Sequence, residues 1–111
     1  ILSSLYNLSM TYLESWKTIY PQSSTNFEFY EGSFLDLNLY NWTNGDVVFA
    51  NSTCYGLELI HQISIIAGDM KLGSYFISFT HPLHEIAGFE VIEEVRKEMS
   101  WGMADVFIQQ K

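Results

Sequence analysis

The order of apolar and polar positions predicts an α/β chain. Apolar residues recur at three- and four-residue spacing over residues 1–20, which predicts a helix with one buried stripe that ends at Pro21. Residues 27–31 alternate apolar and polar side chains before Gly32, and this alternation predicts a short strand. Residues 35–44 mix Asp, Asn and Thr with apolar residues and are predicted to form a loop or a short helical turn.

The middle of the chain predicts a β-α-β unit. Residues 47–50 are apolar without interruption, which favours a central strand that is covered on both faces of a parallel sheet. Residues 56–69 carry apolar side chains at near-helical spacing, with Gly73 as the stop. Residues 74–80 form the next β-rich run, which is broken at His81-Pro82. A crossover of this kind implies a parallel pair of strands.

The last third of the chain predicts an antiparallel hairpin. Residues 89–95 and 105–108 read as two strands that are joined through a tight turn near Ser100-Trp101-Gly102. The whole pattern is that of the second half of a doubly wound sheet with an antiparallel pair at its edge. We therefore expect the first half to come from another stretch of the chain, an ordered partner or a second copy.

Charge and composition narrow the choice of partners. The chain has 111 residues, 48% of them hydrophobic, which is ample material for a folded core. Its net charge of −8 repels phosphate and argues against direct nucleic-acid binding. The same charge favours a basic protein or peptide as the binding partner. No apolar run is long enough to cross a membrane. The single cysteine, Cys54, fits a reducing compartment, so we expect an intracellular protein of the nucleus or cytoplasm.

Several side chains suggest chemistry without defining it. His61, His81 and His84 carry metal-ligating groups, but Pro82 prevents a helical presentation of the last two, and we expect no metal site. Cys54 has no acid and histidine partner at a spacing typical of a nucleophile. A group of glutamates is either a solvated face or a docking surface for a basic partner: Glu90, Glu93, Glu94 and Glu98. No glycine-rich phosphate loop is present in the sequence. A different nucleotide-binding enzyme is therefore the least favoured of the candidate functions.

A family resemblance rests on four short motifs. They are Glu31-Gly32-Ser33-Phe34-Leu35, Asp46-Val47-Val48-Phe49-Ala50-Asn51-Ser52, Gly73-Ser74-Tyr75-Phe76-Ile77-Ser78-Phe79-Thr80-His81-Pro82-Leu83 and Ser100-Trp101-Gly102. In this order they resemble the carboxyl-terminal half of a class I S-adenosylmethionine-dependent methyltransferase. More narrowly, they resemble the non-SET histone-lysine methyltransferases of the disruptor-of-telomeric-silencing family. The resemblance implies a partial Rossmann-like, seven-stranded, mostly parallel sheet with a C-terminal antiparallel hairpin, of which residues 1–111 are the second half.

The resemblance also implies roles for single residues. Phe34 would stack on the adenine of the cofactor, and Ser33 stands where the family has an acid that accepts from the adenine amine. Asn51 would lie near the methyl donor and orient the entering lysine. Tyr55 would line the lysine channel and strip water from the amine, because only a neutral amine can attack the sulfonium methyl. Thr80, and Trp101 in the Ser100-Trp101 pair near the end of the chain, would line the same substrate channel.

Each of these residues also has a purely structural interpretation. Phe34 and Trp101 suit a core, Asn51 suits a turn, and Tyr55 suits ordinary packing. We expect a methyltransferase that uses S-adenosylmethionine on a lysine of a histone-like protein and is inactive as this fragment alone. The alternative is a non-catalytic, methyltransferase-like interaction module, which the serine at position 33 favours.

Overall fold

The computed structural model describes residues 3–111, which divide into two compact units at Asn41/Trp42. The helices and strands, in chain order, are α1 (Ser3–Ile19), β1 (Val47–Ala50), α2 (Leu57–Ala67), β2 (Tyr75–Phe79), β3 (Glu90–Met99) and β4 (Gly102–Gln110). Short 3-10 turns lie at Trp42–Asn44 and Glu85–Ala87. The predictions of α1 and α2 are confirmed, although the first two positions of the predicted first helix lie outside the described residues.

The first unit is built on α1 and an irregular segment. The strand predicted over residues 27–31 is wrong, because this segment has no strand conformation. Phe27 of this segment packs against the helix instead: its ring lies edge-on to that of Trp16, with centroids 5.2 Å apart. Within residues 3–111 this segment has no neighbouring strand, so the alternation of apolar and polar side chains does not mark a strand here.

The second unit holds a four-stranded mixed sheet with the order β1-β2-β4-β3. The parallel pair predicted around α2 is confirmed, and so is the antiparallel hairpin. The core lies on one face of the sheet, where α2 supplies Ile63 and Ala67, and Phe76 of β2 is 1% exposed. This packing buries the apolar stripe of α2 that the helical spacing indicated.

The expected partial seven-stranded, mostly parallel Rossmann-like sheet is wrong. β4 inserts antiparallel between β2 and β3, so one strand pairing is parallel and two are antiparallel. The expectation that residues 47–50 form a central strand is wrong as well, since β1 ends the sheet. Val47 and Phe49 are 58% and 59% exposed, so one face of β1 is open to solvent. A short run of apolar residues with high β propensity therefore does not show that both faces of a strand are buried.

Candidate functional site

Four of the predicted site residues belong to the second unit, and three of these follow strand ends at one edge of the sheet. β1 and β2 run parallel, so Asn51 and Thr80 leave the sheet at the same edge. β4 runs antiparallel to β2, which brings its beginning and the Trp101 turn to that edge. We call Asn51, Ser52, Thr80 and Trp101 the strand-end rim.

The buried hydroxyl of Ser52 ties the two parallel strands together at the rim. Ser52 is fully buried, and its Oγ accepts from the Phe79 N–H at 2.8 Å. The same Oγ donates to the Phe79 carbonyl at 2.9 Å. One side chain thus satisfies both backbone groups of the last residue of β2, just where β1 has ended.

Thr80 occupies a strained turn directly after β2. Its φ is +69°, in the left-handed region that a β-branched residue rarely adopts. His81 N–H donates to the Phe79 carbonyl at 2.7 Å, which closes a γ-turn around Thr80. The Thr80 N–H donates to the Asp105 carbonyl of β4 at 2.8 Å. Backbone strain of this kind costs about 1–3 kcal/mol and often accompanies function.

Buried polar side chains fix the loop that follows this turn. Gln109 is 1% exposed, and its Oε1 accepts from the Leu83 N–H at 2.7 Å. Its Nε2 donates to Ser78 Oγ at 3.1 Å. Ser64 of α2 is fully buried and accepts from the His84 N–H at 2.9 Å. The backbone after β2 is therefore held from both the sheet and the helix, which rigidifies the rim.

A row of aromatic rings crosses the sheet at the rim. The ring centroids of Phe49 and Phe79 lie 5.4 Å apart, and those of Phe79 and Trp101 lie 6.5 Å apart. Phe79 is buried, whereas Phe49 and Trp101 are more than half exposed. Two aromatic faces are thus available for contact beside the exposed Asn51 and Thr80.

Tyr55 and Thr53 lie in the turn between β1 and α2. Tyr55 is half-buried, packs against the core, and donates its N–H to the Ser52 carbonyl at 3.0 Å. Within residues 3–111, the Thr53 hydroxyl is a buried oxygen without a hydrogen-bond partner. No role was predicted from the sequence for Ser52, Thr53 or Gln109, although Ser52 and Thr53 lie directly after a predicted strand.

Ser33 and Phe34 belong to the first unit and form part of a tight turn. Ser33 Oγ accepts from the Leu35 N–H at 3.2 Å, and the Ser33 carbonyl accepts from the Asp36 N–H at 3.1 Å. Phe34 is 41% exposed and therefore is not a core residue. The same unit has an apolar groove of about 200 Å³, lined by Tyr12, Leu13, Trp16, Phe27 and Phe29.

The histidines do not assemble into a metal centre in the described part of the chain. His61 and His84 have ring centroids 5.0 Å apart, and His84 Nδ1 accepts from the Ile86 N–H at 3.1 Å. Across residues 3–111, no group of three or more His, Cys, Asp or Glu residues is arranged to hold a metal ion. Over the same residues, no helix is both long and apolar enough to cross a membrane.

Comparison with known proteins adds no assignment. No protein-family model matches the chain, and no curated protein is significantly similar to it.

Proposed function

We propose that the strand-end rim is the methyl-transfer end of an S-adenosylmethionine-dependent methyltransferase that acts on a lysine of a basic, histone-like protein. The observation that carries the proposal is the strained Thr80 turn, which stands beside the exposed Asn51 at the carboxyl ends of two parallel strands. In open α/β sheets, ligands bind outside these strand ends. The motif resemblance supplies the choice of cofactor and reaction.

The side chains at the rim suit such a ligand. Asn51 offers an amide, Thr80 a hydroxyl, and Trp101 an exposed ring, a mixture that fits a molecule with a polar amino-acid part and an aromatic base. The orphaned hydroxyl of Thr53 lies two residues from Asn51 on the same turn. The buried bonds of Ser52 and Gln109 hold this backbone in place before any ligand arrives, which limits the ordering cost of binding.

In this proposal the protein positions the lysine amine and removes water from around it. S-adenosylmethionine, when bound, supplies the electrophilic methyl group. The Asn51 amide accepts from the entering amine without taking its proton. The exposed rings of Trp101 and Phe49 exclude water, which favours the neutral amine because desolvation lowers the pKa of a lysine. On entry the ammonium would lose its proton to solvent, so positioning and desolvation would provide the rate without a general base.

The adenine contact of Phe34 rests on the resemblance alone and is tested by itself. Phe34→Ala in the full-length protein is expected to weaken S-adenosylmethionine binding by about fivefold, since an aromatic contact is worth about 1 kcal/mol. Leu35→Ala is the matched control, because Leu35 is a neighbouring, similarly exposed apolar residue. Equal effects of the two variants would remove the adenine role of Phe34.

Calorimetric titration of the full-length protein with S-adenosylmethionine tests the proposal as a whole. The glycine-rich segment that the resemblance implies would come from another stretch of the chain or from a partner, so the isolated 111 residues are not the test object. Asn51→Ala is expected to weaken binding by about tenfold. Asn44→Ala, an exposed asparagine of the 3-10 turn, should leave binding unchanged. Absence of binding heat in the wild-type protein would refute the proposal.

A non-catalytic interaction module is the second candidate. The specific observation in its favour is Ser33, an uncharged residue where the family has an acid, and its hydroxyl already accepts a hydrogen bond within its own turn. Transfer of labelled methyl groups from S-adenosylmethionine to a histone-like protein separates the two candidates. Binding of the basic protein without methyl transfer would favour the module, whereas transfer that Asn51→Ala reduces would favour the enzyme.

A further inference from the structure

The outer strand of the sheet has an edge that is open to pairing. Within residues 3–111, β3 pairs with β4 alone and ends the sheet. Eight of its ten residues are exposed, and Val95 and Met99 are half-buried. A bulge interrupts the ladder between Val91 and Glu93, and the register is regular from Glu93 onward. Every second residue of such a strand directs its N–H and C=O away from β4, so these groups can bond to another strand.

The charges on this strand are self-complementary about Val95. The sequence from residue 93 to residue 97 is Glu-Glu-Val-Arg-Lys, so equal steps on either side of Val95 meet opposite charges. An antiparallel copy centred on Val95 puts Glu93 opposite Lys97 and Glu94 opposite Arg96, each pair formed twice. Val95 then faces Val95 at the centre.

We propose that two copies of this chain associate by antiparallel pairing of β3 with β3, about a two-fold axis that passes through Val95. The interface is isologous, because each copy contributes the same strand edge. It joins two four-stranded sheets into one continuous sheet of eight strands. The partner is identified as a second copy by the charge pattern, which is complementary to its own reverse.

The charge pattern also selects this register over its neighbours. A shift of the axis to position 94 puts Glu94 opposite Glu94, and a shift to position 96 puts Arg96 opposite Arg96. Like charges that face each other directly are destabilising. Charged residues often protect an edge strand from unspecific pairing, and here the same charges permit one partner in one register.

Sedimentation equilibrium of the full chain tests the proposal through the Glu93–Lys97 pair. This pair is chosen because Arg96 already faces Asp105 of β4, whereas Lys97 faces Ala104 and Glu93 faces Ile108. The wild-type mass is expected to rise with concentration toward twice the mass of one chain. Lys97→Glu and Glu93→Lys should each weaken the dimer by about tenfold or more, since two attractive pairs become repulsive.

Two combinations make the test independent of folding defects. An equal mixture of the Lys97→Glu and Glu93→Lys chains should dimerise again, and the double variant should dimerise like the wild type. Lys17→Glu and Glu14→Lys on α1 are the controls for net charge, and both should leave the dimer intact. A wild-type chain that keeps the mass of a monomer at every concentration would overturn the proposal. A dimer that neither single variant weakens would also overturn it, and so would a mixture of the two variants that stays monomeric.

Discussion

Removal of the Ser52 hydroxyl is the sharpest test of how the strand-end rim is held. In Ser52→Ala the Phe79 N–H loses its acceptor at 2.8 Å, and the Phe79 carbonyl loses one of its two donors. The carbonyl keeps the His81 N–H at 2.7 Å, so it stays satisfied. The N–H loses its side-chain acceptor in a place that is closed to solvent, because Ser52 is fully buried.

The expected loss follows from these contacts. Each hydrogen bond contributes about 1 kcal/mol net, and a buried donor without a partner costs about 1–3 kcal/mol more. We therefore expect Ser52→Ala to lower the free energy of unfolding by about 2–4 kcal/mol. For a chain of this size that corresponds to a fall in melting temperature of about 10 °C or more. Ser15→Ala, whose exposed hydroxyl donates to the Thr11 carbonyl at 3.3 Å, should cost less than about 0.5 kcal/mol.

Urea denaturation gives the free energy, and amide hydrogen exchange gives the location. The N–H groups of Phe79 and Thr80 should exchange faster in Ser52→Ala, because local opening of the rim becomes easier. A folded variant that loses less than about 1 kcal/mol, with unchanged exchange at Phe79, would show that the hydroxyl does not hold the strand ends together. Faster exchange across the whole sheet alone would place the effect in global stability instead.

Three further substitutions test other parts of the second unit. Gln109→Leu should lower the free energy of unfolding by about 2–3 kcal/mol in urea denaturation, because it leaves the buried Leu83 N–H without an acceptor. A loss of about 0.5 kcal/mol or less, which is usual for a surface substitution, would contradict this. Gly56→Asp should raise stability by about 0.5–1 kcal/mol, because Gly56 is the N-cap of α2 with no capping side chain and open space around its α-carbon; Gly56→Ala, which cannot cap, should show no such gain. Thr53→Val should raise the melting temperature by removing a buried hydroxyl that has no partner, at about 1 kcal/mol, and a lower melting temperature would count against that assignment.

Local patterns were sufficient for the elements whose partners lie close in the chain. The spacing of Ile60 and Ile63 indicated α2, and both are buried. The β-α-β crossover and the hairpin also follow from short connections, for which sequence order and spatial order agree. A similar local signal over residues 27–31 failed, because alternation describes side-chain direction and does not supply a neighbouring strand.

Long-range pairing decided what the patterns could not predict. Phe79 lies beside Val106, although Glu90–Met99 comes between them in sequence, and this insertion of β4 makes the sheet mostly antiparallel. No periodicity in either strand encodes which neighbour it takes. The buried polar residues Ser52 and Gln109 were equally hidden, since serine and glutamine are more often exposed, and only the folded chain shows the N–H groups that they satisfy.

The rim and the β3 edge can be tested separately because they depend on different physical terms. The rim is held by short buried hydrogen bonds to Ser52 and Gln109, which salt screens little. The proposed β3 pairing depends on exposed charges such as Glu93 and Lys97, which salt screens strongly. Raising the ionic strength should therefore dissociate the dimer while the amide protection at Phe79 stays unchanged. If protection at Phe79 falls together with the dimer, the two sites are coupled through the sheet, and the association would itself be part of what holds the rim.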